Sequence, residues 1–179
     1  TTLLEMCFAD KRAGLDIDLS AIKENDIVKL LFAENPGVVL QFKDADAKAA
    51  LTEMINAAAK EGINIYKISG FRSYSTQETL YNNYVKRDGQ AAADRYSARP
   101  GHSEHQTGLS IDLNTITQSF GRTREGRWVA EHCHEYGFIL RYPKGKEWIT
   151  GYAYEPWHYR YVGVDAAKKI YEEGITYEE

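Results

Sequence analysis

Polar and apolar residues alternate from Leu109 to Asn114. Leu109, Ile111 and Leu113 are set against Ser110, Asp112 and Asn114, the period-two pattern of a half-buried strand. Short apolar runs at Val38–Phe42, Ile65–Ser69, Phe138–Tyr142 and Tyr159–Val162 predict further strands. The clearest helix spans Asp44–Lys60, with Asp44 as cap, an Ala-rich body and Gly62 as stop. A second helix is expected over Ser75–Arg87, where Ser75 and Glu78 form a capping box. Ala91–Tyr96 reads as a short helix ending before Arg99-Pro100, and Ala166–Glu173 as a closing helix. Glu125–Tyr136 has helical spacing, with Trp128, Val129, His132 and Cys133 on one face. Helices clustered early and strands at irregular intervals predict an α+β fold around a small, mostly antiparallel sheet. No repeat or Pro/Gly-rich linker divides the chain, so 1–179 is read as a single domain.

Composition narrows the function classes. A chain of 179 residues, 43% hydrophobic, is long enough for one real core. A net charge of −4 offers no basic footprint for nucleic acid. No apolar run approaches the roughly 20 residues of a membrane span. The chain opens on Thr1-Thr2 without a Met, which points to a trimmed leader or anchor. Thirteen tyrosines and three tryptophans suit a cleft for sugar or peptide, and core packing accounts for them equally well. Cys7 and Cys133 are too few for a disulfide framework, although one bridge between them is open. His132-Cys133-His134 is read as part of a surface helix with a buried thiol rather than as a metal cluster.

The chemistry concentrates in two segments. Ser103 to Asp112 holds His105 and Asp112 seven residues apart, and Glu155-Pro156-Trp157-His158 adds a second imidazole and a second carboxylate. A mononuclear catalytic zinc needs three protein ligands, an open position for water and a nearby base. His105 would lie in the loop entering the strand, with Gly108 at the bend and Asp112 on the strand's polar face. Pro156 argues that Glu155 and His158 share a tight turn. Glu155 then serves as base or, alternatively, as a fourth ligand that closes the site.

These residues carry a resemblance. SxHxxGxxxD followed by ExxH resembles the zinc metallopeptidase family that contains the VanY and VanX D-alanyl-D-alanine peptidases. Ser69-Gly70-Phe71-Arg72-Ser73 with Gln77, Ala98 to Leu109, Gly137 to Pro143 and Thr150 to Gly163 are similar to its ordered blocks, covering about residues 66 to 165. Residues 1–40 do not match its usual opening. The resemblance implies a groove holding one Zn²⁺ on His105, Asp112 and His158, with Glu155 as general base. It implies that Arg72 supports the oxyanion and that Gln77 and Ser103 bind the substrate's terminal carboxylate and backbone. Trp157 and Tyr84 are expected as cleft walls, Glu104 and Gln106 as supports of the ligands or the turn, and His102 as a rim residue.

The reading is a carboxypeptidase that removes the C-terminal D-Ala from peptidoglycan stem peptides or their precursors. Within the family, the alternatives are an L,D bond in a tetrapeptide, or free D-Ala-D-Ala dipeptide. Outside that class stand a non-catalytic zinc-containing binding domain of the hedgehog type and a phage-type endopeptidase. Retention of Glu155 and Arg72 argues against the binding domain, which needs no base. A monomer is expected, at the bacterial cell envelope or outside the cell if a leader was trimmed, and in the cytoplasm otherwise.

Overall fold

Four short strands form the centre of the molecule in the computed structural model, which describes residues 44–179. β1 (Lys67–Ser69), β2 (Ser110–Leu113), β3 (Phe138–Leu140) and β4 (His158–Tyr161) make one sheet in the order β1-β2-β4-β3, and every neighbouring pair is antiparallel. The central strands, β2 and β4, are the ones that carry Asp112 and His158. The helices are α1 (Asp44–Lys60), α2 (Tyr74–Asp88), α3 (Gln90–Ala93), α4 (Arg124–His132), α5 (Glu147–Thr150) and α6 (Val164–Glu173). The expected α+β class and antiparallel sheet are present. The strand expected at Val38–Phe42, the N-terminal edge and Cys7 lie outside the described residues.

The core covers one face of the sheet. Leu109 just before β2 and Ile111 and Leu113 within it, with Phe138, Tyr159 and Tyr161, pack with Met54 and Ala58 of α1 and with Trp128, Val129 and Cys133. Full burial of a side chain such as Met54 or Phe138 stabilises the fold by about 1.5–3 kcal/mol. Cys133 is part of this core, and burial pushes its thiol up to about 12, as expected of an inert packing residue.

Several boundaries differ from expectation for local reasons. The cap of α2 is Ser73, whose Oγ accepts from the Thr76 N–H at 3.2 Å, so Ser75 lies inside the helix. Two serines compete for one role, and the earlier one lengthens the helix. The expected helix Glu125–Tyr136 divides: α4 stops at His132, and Cys133–Tyr136 tightens into a 3₁₀ turn that Gly137 closes. His132, the last residue of α4, still packs its ring on Trp128 at 4.7 Å and pairs with Glu135 at 2.9 Å. A 3₁₀ turn at Gln118–Arg122, absent from the sequence expectation, leads into α4. β2 is not half-buried. All four of its residues are buried, because its polar face is roofed by the segments that build the site described below.

Gly126 has no room for a side chain: a Cβ there would run into the Phe120 carbonyl of the preceding 3₁₀ turn. Gly126→Ala is therefore expected to lower stability by about 1–3 kcal/mol, read as a drop in urea midpoint and melting temperature. A variant as stable as the parent would mean that the backbone around Phe120 yields freely, contrary to this packing.

Candidate active site

The register of β2 against β4 sets Asp112 directly opposite His158 on the polar face of the sheet. His158 follows a tight turn in which its N–H donates to the Glu155 carbonyl at 3.1 Å, with Pro156 and Trp157 at the corner. His105 arrives from a different element, a 3₁₀ turn at Glu104–Thr107, ended by Gly108 in the left-handed region (φ +74°). A side chain at Gly108 would be strained in that conformation. Arg72, in the loop from β1 to α2, is tied to that turn by its backbone N–H donating to the His105 carbonyl at 3.0 Å.

The three side chains converge. His105 Nε2 lies 3.3 Å from Asp112 Oδ2, and His158 Nδ1 lies 3.1 Å from Asp112 Oδ1. The two imidazoles meet edge to face at 4.9 Å. All three residues are buried, and one ligand atom from each lies within 4.8 Å of the others. His105 Nδ1 contacts the Gly70 carbonyl at 2.7 Å, so that nitrogen carries the proton and Nε2 presents a lone pair to the cluster. Two imidazole nitrogens and one carboxylate oxygen are a donor set suited to zinc, and the residues could hold such an ion. Burial alone would raise Asp112, but contacts from His105 and His158 outweigh it and hold the carboxylate well below its usual range. Burial would likewise lower His158, yet Asp112 and Glu104 raise it to about 9 in the metal-free protein.

The cluster opens into a cavity of about 380 Å³. Every residue singled out from the sequence for the metal, catalysis or substrate lines it: Arg72, Gln77, Tyr84, Ser103, His105, Asp112, Glu155, Trp157 and His158. Glu155 is 8% exposed. Burial above all, helped by the Asp112 charge and opposed by His158 and Arg72, pushes its carboxyl up to about 7. Arg72 Nη2 approaches Asp112 Oδ2 at 3.6 Å and donates to Ser69 Oγ at 3.3 Å, while Nη1 donates to Gln77 Oε1 at 2.9 Å. Gln77 also donates from Nε2 to the Ala98 carbonyl at 2.6 Å and to Ser97 Oγ at 3.3 Å. Its amide is thus engaged at both ends, and it touches the cavity as the prop behind Arg72. Tyr84 meets Tyr96 edge to face at 5.2 Å, making one wall.

Sequence reasoning assigned no role to Tyr142, Tyr152 and Tyr96, which also line the cavity. Tyr142 stacks on the His158 ring at 5.1 Å, and burial pushes its hydroxyl far above the usual range. The only signal was the block Gly137 to Pro143, in which a lone tyrosine had no periodicity to mark it.

Residues 41–164 match the VanY family, D-alanyl-D-alanine carboxypeptidase. The chain belongs to this family. The D-alanyl-D-alanine carboxypeptidase of Enterococcus faecalis is 38% identical over 138 residues, 72% of this chain and 52% of that protein. Two crystal structures of VanY-like folds align over 80% of the chain. The L,D-carboxypeptidase DacB from Streptococcus pneumoniae is 47% identical, with 76% of its chain covered and a TM-score of 0.65. The vancomycin resistance D,D-pentapeptidase VanY, in complex with Zn(II), is 33% identical, with 89% covered and a TM-score of 0.67. The chain spans about half the length of the curated relatives it matches.

Gln77 is 1% exposed, and its removal strands the Ala98 carbonyl and one Arg72 donor. Gln77→Ala is expected to cost about 1–3 kcal/mol of folding stability by chemical denaturation. An unchanged denaturation midpoint would show that water replaces the amide at no cost.

Proposed function

We propose that this chain is a zinc-dependent carboxypeptidase that removes a C-terminal D-Ala from peptidoglycan stem peptides or their precursors. The observation that carries the reading is one cavity holding a His-Asp-His donor set beside a buried carboxyl, Glu155, whose proton affinity is tuned near neutrality. His105, Asp112 and His158 would hold one Zn²⁺ per chain, which when bound would supply Lewis acidity and bring the pKa of water toward about 7. Glu155 takes the proton from the attacking water and later delivers it to the leaving amine, work that favours a pKa close to the operating pH. Arg72, held by Gln77 and Ser69, turns forked donors toward the oxygen on which charge develops. Ser103, which lines the cavity, hydrogen-bonds the substrate backbone or carboxylate, and Tyr84 and Trp157 flank the peptide. Stem peptides as substrate fit an enzyme of the bacterial cell envelope, and precursors as substrate one of the cytoplasm. Among the described residues no helix is long and apolar enough to cross a membrane.

A second reading within the same chemistry has its own support. Identity to the L,D-carboxypeptidase DacB is 47%, against 33% to VanY over the same 80% of the chain. This favours cleavage of an L,D bond in a tetrapeptide. Both reactions release D-Ala and need the same zinc, base and guanidinium; they differ in the residue that precedes the scissile bond.

Two experiments test these assignments. The purified protein is expected to take up about one zinc, lose activity to a chelator and regain it with zinc. Glu155→Gln should retain the metal yet lose turnover by about 10²–10⁴-fold. Loss of the metal in Glu155→Gln, with rate recovered at excess zinc, would make Glu155 a ligand and sink the base assignment. In the second, mass spectrometry of products from pentapeptide and tetrapeptide stems decides between the D,D and L,D readings, with D-Ala as the expected product. Amidation of the terminal carboxylate is expected to abolish cleavage, because the site's polar partners would be left unpaired. Equal cleavage of amidated and free peptides would rule out a carboxypeptidase.

A further inference from the structure

The side of His158 that faces away from Asp112 meets a chain of ion pairs leading out of the cavity. His158 Nε2 is buried, has no hydrogen-bond partner, and points at Glu104 Oε2 3.5 Å away. Glu104 Oε2 also accepts from Ser110 Oγ at 3.2 Å, and its other oxygen accepts from Arg141 Nε at 2.8 Å. Arg141 is 10% exposed and is held at its far end by both oxygens of Glu178, at 2.6 and 3.0 Å. Its guanidinium lies 5.0 Å from the Tyr142 ring and 5.3 Å from the Tyr177 ring. Tyr142 in turn stacks on His158. Glu179 fastens the same segment, accepting from the Thr176 N–H at 3.0 Å and from Lys146 Nζ at 3.1 Å.

We infer that Glu104, Arg141 and Glu178 are positioning residues of the metal centre, a relay by which the segment Thr176–Glu179 sets the orientation and zinc affinity of His158. The inference rests on the reading of His158 as a zinc ligand. With Nδ1 turned to the cluster, the ring proton must sit on Nε2, and Glu104 is the acceptor that fixes that tautomer. A carboxylate there also makes Nδ1 a better donor to a cation. Glu104 is held in place because Arg141 donates to one of its oxygens and Ser110 to the other. Arg141 cannot swing away while Glu178 and two aromatic faces hold it. Each link is a charge-assisted contact with little or no exposure until Glu178, which is 31% exposed. An amide at position 104 has one oxygen for the work of two, so Glu104→Gln must turn a donor toward either Arg141 or His158.

The test measures zinc affinity by competition with a chelator in the whole chain carrying Glu104→Gln, Glu178→Gln and both, alongside the melting temperature of each metal-free protein. Glu104→Gln is expected to weaken zinc binding by about 10–100-fold, the usual effect of losing an outer partner of a ligating His. Glu178→Gln, at the part-exposed end, is expected to weaken it by a smaller factor. The double variant is expected to match Glu104→Gln alone, because both substitutions cut one relay. A purely structural role for the segment would lower the metal-free melting temperature and leave zinc affinity unchanged. Wild-type zinc affinity in Glu178→Gln, or losses in the two variants that multiply, would overturn the relay while leaving the proposed function intact. Failure of the unsubstituted protein to bind zinc would overturn that function, and the relay with it.

Discussion

Antiparallel pairing of β2 with β4 is the constraint from which the site follows. It sets Asp112 opposite His158, so a carboxylate and an imidazole 46 residues apart in sequence become cross-strand neighbours. Side chains alternate between faces with a period of two, and a slip of one residue in either strand would send its polar side chain into the core. The apolar positions 109, 111 and 113, packed with α1 and α4, lock that register from the opposite face. Core packing and site geometry are therefore one specification, written on the two faces of the same strands.

Around this pair the protein gathers charges it would not otherwise bury. Asp112 is stabilised by two imidazoles, Glu104 by Arg141, and Arg72 by Gln77 and Ser69. Glu155 is different. It too is buried, and the influence of His158 and Arg72 does not outweigh that burial, so its carboxyl is pushed up while Asp112 and Glu104 are held down. Similar side chains in one cavity thus acquire different proton affinities from their surroundings.

The long helix Asp44–Lys60 and the alternating strand at 109–113 were legible because periodicity reports directly on a single buried face. The tight turn at Glu155–His158 was legible from Pro156. Local competition decided what was less clear. Ser73 displaced Ser75 as a cap, and the last turn of the expected Glu125–Tyr136 helix wound into a 3₁₀ segment so that Gly137 could turn the chain into β3. Short-range patterns fix the kind of element better than its ends, since one hydrogen bond moves an end by two residues.

For this protein the sequence by itself determined the donor types, their order along the chain, the α+β class and the family. Those are properties of residue identity and spacing. Only the tertiary structure decided that Gln77 stands behind Arg72, that Tyr142 covers His158 and that Arg141 joins Glu104 to Glu178. Those contacts link residues 5, 16, 37 and 37 positions apart through space. No periodicity of helix or strand relates such positions. They exist because sheet register and helix packing bring separate segments to one buried face, where each polar group must find a partner.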